Sequence, residues 1–118
     1  LNECLNDNIF HCSTGKQYRD FLFVDDLIKA IFKCFNNQKS IGEVINIGMG
    51  KPRNVKKVIL FIKNKINLGK PIFGKMPLRK DEIFRLYPNI SKAKKILNWK
   101  PYTSFQKGIE TVIRYYKS

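Results

Sequence analysis

A small α/β fold of short strands and about four helices is what this sequence predicts. Two observations carry the expectation. Apolar residues recur at helical spacing in long stripes, each preceded by a capping residue. Between the stripes stand compact apolar runs, too short for helices and bounded by glycines or turn residues. The chain has 118 residues, the size of one modest domain. No repeat, low-complexity tract or second domain interrupts it, so a single unit, 1–118, is expected.

In chain order, "NIFHCS" at residues 8–13 predicts a short strand, and "TGKQ" a turn after it. "RDFLFV" at 19–24 is strand-like. Asp25 stands where an N-cap belongs, since its carboxylate can accept the free amides of a first helical turn. Leu27, Ile28, Ile31, Phe32 and Phe35 follow as a helical stripe expected to face the core. "EVINIGMG" at 43–50 is an apolar run closed by glycines, which predicts a buried strand.

Asn54 can cap the next helix, whose face is Val55, Val58, Ile59, Ile62 and Ile66, with Gly69 as its stop signal. "PIFG" at 71–74 predicts one more short strand. Residues 75–88 are charged, proline-punctuated and irregular. "NISKAKKILNW" at 89–99 predicts a short helix capped by Asn89 or Ser91. Pro101 then disfavours helix at Lys100. A last helix starts at a Thr103 or Ser104 cap and carries Phe105, Ile109, Val112, Ile113 and Tyr116 on one face.

Composition narrows the function. The formal net charge is +14, which invites a basic nucleic-acid or polyanion-binding module as the alternative reading. The distribution argues against it. The cations are mostly Lys, spread along the polar sides of the helical segments, and Lys, Ile and Asn rise together. Arg, the better reader of bases and phosphates, is scarce. The summed field can still draw small polyanions. The three cysteines form no C-x-x-C and His11 is the single histidine, so neither a metal site nor a disulfide framework is expected. No apolar run approaches the ~18 residues of a membrane span, and no signal-like segment opens the chain. A soluble cytoplasmic protein is the expectation, and because Leu1 is not a methionine, a piece of something longer.

The chemical motifs are partial. "INIGMGKPRN" places Gly48-x-Gly50 ahead of a helix, but Arg53 stands where a dinucleotide fingerprint needs its third glycine. A glycine-assisted turn is the plainer meaning. There is no G-x-S-x-G. No tyrosine has a lysine four residues on, so a Tyr base tuned by a neighbouring Lys is not supplied. What remains is polar and loop-borne: Arg19 at a strand start, Asn46 inside an apolar run, Arg79 and Glu82 in the irregular segment. Arg suits phosphate because its planar fork can donate two parallel hydrogen bonds. Taken singly, each of these is better read as a surface or structural residue.

Three blocks together carry more. "GKQYRDFLFVDDLIKAI", "GEVINIGMGKPRNVKKVI" and "LRKDEIFRLYPNISKAKKILNWKPYTSFQKGIETVIRYY" resemble, in order and spacing, the C-terminal part of the NAD-dependent nucleotide-sugar epimerase/dehydratase family, the extended short-chain dehydrogenases. The resemblance implies a small C-terminal substrate-binding portion, with the Rossmann domain absent from this chain. It implies NAD or NADP in a full-length parent, none bound by this portion alone, and a Tyr-x-x-x-Lys pair upstream. A nucleotide-sugar substrate and a homodimeric parent follow from it, as does inactivity of this chain by itself.

By the same resemblance, Arg19 in "RDF-x-x-V-x-D" matches an arginine that binds the substrate diphosphate. Arg79 and Glu82 in "LRKDE" match an Arg-x-x-acid pair, the Arg meeting diphosphate and the acid ribose. Lys80 and Asp81 replace the family's usual pair there, so either Asp81 or Glu82 faces the ribose. Asn46 matches the asparagine of an N-I-G block, and Gln17 lies near the nucleotide in some branches. No catalytic residue is expected in this chain. Trp99 and Pro101 are expected to seat two helices.

Overall fold

The computed structural model describes all of residues 1–118. It contains five α-helices, α1 (Asn2–Leu5), α2 (Val24–Phe35), α3 (Val55–Ile66), α4 (Ser91–Leu97) and α5 (Phe105–Lys117). Five very short strands accompany them: β1 (Ile9–His11), β2 (Tyr18–Arg19), β3 (Arg53–Asn54), β4 (Lys70–Ile72) and β5 (Arg85–Leu86). The α/β class is as predicted, with α1, β3 and β5 added to it.

β1 and β4 form a parallel two-stranded sheet. β2 is the centre of the second sheet, antiparallel to β3 and parallel to β5. The caps predicted for α3 and α5 are present. Asn54 Oδ1 accepts from the Lys57 amide at 3.1 Å, and Ser104 Oγ accepts from the Lys107 amide at 3.3 Å. Neither Asn89 nor Ser91 is the N-cap of α4, which is Ile90 without a side-chain cap bond; Asn89 Oδ1 accepts from the Ser91 amide at 2.9 Å in the turn just ahead of the helix. α3 stops on Asn67 in the left-handed region, not on Gly69, because the reversal is needed at the residue that follows the last helical turn.

Four expectations fail for one reason, the lack of a partner layer. Residues 43–50 form no strand, since no other strand pairs with them. The strand at 19–24 shrinks to β2, because only Tyr18 and Arg19 find partners in β3 and β5. Helix α2 therefore begins earlier. Phe23 is its N-cap and Asp25 lies in its first turn without a capping bond. The stripe Leu27, Ile28, Ile31, Phe32, Phe35 is exposed, not buried. The side of α2 that meets the core carries Asp26 and Ala30, both 0% exposed.

The molecule is a slab, 49 × 39 × 16 Å. A helix with its side chains is about 10 Å across, so the thin dimension leaves most helical faces with one neighbour. One core cluster joins Ala30, Ala93, Leu97 and Trp99. A second joins Cys4, Ile66 and Ile113. Trp99 is fully buried and its Nε1 donates to the Asp26 carbonyl at 3.1 Å, which seats α4 against α2. Lys65 and Glu110 pair at 2.6 Å between α3 and α5. The hydrogen bond from Lys65, and then its charge, hold the Glu110 carboxyl below the usual carboxylate range. Burial, with Cys4 nearby, pushes the Cys12 thiol up.

Candidate functional site

The second sheet builds the site. β5 runs parallel to β2 in the register Tyr18–Arg85 and Arg19–Leu86, and the Tyr18 amide donates to the Phe84 carbonyl at 2.6 Å. The Arg85 guanidinium lies 4.3 Å from the centre of the Tyr18 ring. This pairing carries the segment before β5 across the end of β2. There a turn closes, the Glu82 amide donating to the Arg79 carbonyl at 3.2 Å. Arg19, Arg79, Asp81, Glu82, Ile83 and Leu86 thereby line one open cleft.

Within the cleft, Arg19 Nη2 donates to Glu82 Oε1 at 2.6 Å, and Arg19 Nη1 donates to the Tyr18 carbonyl at 2.9 Å. The pair is largely shielded, with 27% of the Arg19 side chain and 15% of the Glu82 side chain exposed. Arg79 is exposed and its side chain makes no hydrogen bond or ion pair. Two guanidiniums thus face two carboxylates, and the lining is close to neutral. Attraction for an anion comes from the field of the whole chain at +14 and from the forked geometry of the two arginines.

Asp20, the residue after β2, holds the next layer of the site. Its Oδ1 accepts from the Met49 amide and its Oδ2 from the Gly50 amide, both at 2.8 Å. Gly48 is required there, since a Cβ on it would meet Pro88 Cγ at 2.4 Å. The absence of a side chain at Gly48 lets Pro88, in the chain following β5, lie close on the glycine turn. The same bonds answer whether the glycine turn fits a dinucleotide: its amides are already given to Asp20 and Gly48 is packed on Pro88, so the residues present do not fit one.

The structure brings together Arg19, Arg79 and Glu82 of the residues singled out from the sequence, and Asp81 with them. It leaves Asn46 and Gln17 outside that lining. Asn46 is exposed on the unpaired segment 43–47. Gln17 turns towards Ser13, its Nε2 donating to Ser13 Oγ at 3.4 Å, while its Oε1 is buried without a partner. Sequence reasoning missed Ile83, Leu86 and the strand that places them. The signal was present: "IFRLY" at 83–87 is a run of strand-forming residues inside the charged segment. A more enclosed cleft of about 250 Å³ lies between residues 21–24 and α5, but seven of its ten lining residues are apolar and none is charged. It offers nothing to a phosphate.

A sheet-borne arginine and a loop arginine thus share one open cleft. The family model described as GDP-mannose 4,6 dehydratase matches residues 4–112. CDP-abequose synthase of Salmonella typhimurium is 31% identical over 119 residues, covering 95% of this chain and 40% of that protein. The crystal structure of UDP-glucose 4-epimerase with UDP-glucose from Thermotoga maritima superimposes with a TM-score of 0.88 at 26% identity, covering 98% of this chain and 37% of that one. UDP-glucuronic acid 4-epimerase from Bacillus cereus, in complex with NAD, gives 0.75 at 26% identity, covering 96% and 36%. The chain belongs to the NAD-dependent nucleotide-sugar epimerase/dehydratase family. It spans 32% and 40% of the length of the first two curated relatives it matches.

Proposed function

We propose that this chain is the C-terminal, substrate-holding portion of an NAD(P)-dependent nucleotide-sugar epimerase, dehydratase or 4-keto-reductase. In this proposal the cleft beside β2 and β5 receives the nucleotide diphosphate. The observation that carries it is the meeting of Arg19 and Arg79, far apart in sequence, on one lining. A diphosphate is a compact anion, and two arginines from different segments can grip it from two sides. Such a grip supplies binding energy remote from the reacting carbon and orients the sugar for hydride transfer.

Glu82 enters the proposal with two duties. Without substrate it occupies Arg19. When the diphosphate takes that guanidinium, the carboxylate is released to accept from a ribose hydroxyl, with Asp81 beside it. The chain's own residues contribute binding and orientation only. NAD or NADP, the proton-transferring groups and any dimer contact belong to the rest of the parent. The reading as a basic nucleic-acid module has no support from the family match.

The test is kinetic. In a complete enzyme carrying this portion, Arg79→Ala raises KM for the nucleotide-sugar about 10- to 100-fold, the effect of one lost charged hydrogen bond and its Coulomb partner. A KM within twofold of the parent value rejects the assignment.

A further inference from the structure

Consecutive residues of a strand send their side chains to opposite faces. On β2, Arg19 lines the cleft already described, and Tyr18 lines a different one of about 330 Å³, bounded by β3, α3 and the start of α5. The two linings share no residue. The charged residues of this second cleft are Arg53 and Lys57, with no carboxylate among its nine lining residues. Tyr18, Phe61 and Phe105 give it aromatic surface.

Arg53 is fixed in place but unused. Its guanidinium lies 4.3 Å from the centre of the Phe105 ring, and the residue is half-buried. None of the three ion pairs includes it. Stacking holds the plane of the group and leaves its N–H donors, all on the edge, without an acceptor. Arg85 stacks on Tyr18 but does not line the cleft, so Tyr18 keeps its remaining surface towards it. The amides at the head of α3 are already spent. Val55 donates to the Gln17 carbonyl at 2.8 Å, Lys56 to the Gly15 carbonyl at 3.0 Å and Lys57 to Asn54 Oδ1 at 3.1 Å. An anion in the cleft is therefore held by side chains and not by the helix end.

We propose that this cleft binds a small aromatic anion, a planar ring carrying one phosphate or carboxylate group. The anionic group takes the fork of Arg53 and the ammonium of Lys57. The ring lies against Tyr18 and Phe61. Ligand clefts run from about 300 to 1,000 Å³, and a volume at the low end of that range suits a ligand of one ring. Charge selects an anion more firmly here than beside Arg19, where two carboxylates offset two arginines. The proposal does not rest on the diphosphate reading, so either can fail alone.

The experiment titrates the 118-residue chain with phenyl phosphate and, separately, with benzoate, followed by proton–nitrogen correlation spectra. Salt is kept at about 0.15 M, where exposed charges are screened beyond about 8 Å. At least one of the two compounds shifts the amides of Arg53, Asn54, Phe61 and Gln106 and saturates with a Kd of about 1 mM or below. Inorganic phosphate and phenol, each lacking half of the ligand, bind about 10-fold more weakly. Arg53→Ala and Lys57→Glu each weaken binding about 10-fold. Lys57 is exposed, so its substitution keeps the fold and reports even where Arg53→Ala does not fold. No saturable shift with either compound overturns the proposal, as do shifts confined to residues 79–86, which put the anion in the other cleft. Equal binding of inorganic phosphate overturns it too, because the ring then plays no part. So does undiminished binding by Lys57→Glu or by a folded Arg53→Ala, which leaves Arg53 as a cover for Phe105.

Discussion

Arg19 is held at 2.6 Å by Glu82, a residue 63 positions away. Each was recognisable by type and motif, as was Arg79, but their meeting was not, because it depends on β5 lying beside β2. The ion pair changes what a substitution does. A carboxylate that occupies Arg19 competes with an incoming phosphate, and a partly shielded pair such as this one is worth about 1 kcal/mol. Glu82→Gln therefore tightens binding of inorganic pyrophosphate about fivefold, measured by titration calorimetry. Weaker binding in that variant makes Glu82 a residue that positions Arg19 and does not compete for it. Asp20 orients neighbouring backbone, with two amides on its carboxylate.

At the scale of elements, α2 shows how a stripe can mislead. Its periodicity is real and predicts a helix following Asp25, but periodicity marks an apolar face without saying what covers it. The residue that ties α2 to the rest is polar. Asp26, fully buried, accepts from the amides of Tyr102 and Thr103 at 3.0 and 2.7 Å and from the Thr103 hydroxyl at 3.1 Å. These bonds join the head of α2 to the connection that leads into α5. Asp26→Ala leaves buried donors without partners and costs about 3 kcal/mol, which chemical denaturation measures as a lower midpoint. A loss below 1 kcal/mol shows that water replaces the carboxylate. Caps were legible because they are local: Asn54 and Ser104 each bond an amide three residues on. Strands were not, since residues 43–50 read as a buried strand and still pair with no other strand.

The whole molecule is a thin slab with 15 of 118 residues buried and a charge of +14. Little core is available to oppose self-repulsion among the lysines. Added salt shortens the screening length from about 30 Å at 0.01 M to about 8 Å at 0.15 M. The melting temperature of the chain accordingly rises by several degrees between those ionic strengths, as differential scanning calorimetry would record. A flat or falling curve means that the three ion pairs, not the excess of cations, dominate its electrostatics. By itself the sequence determined the α/β class, the four longer helices, and the Asn54 and Ser104 caps, because each rests on spacings within a few residues. Only the tertiary structure decided that Arg19 and Arg79 share a cleft, that Glu82 occupies the first of them, and that α2 and residues 44–47 face outward. Those depend on which distant segments lie side by side, and one-dimensional periodicity carries no information about the partner.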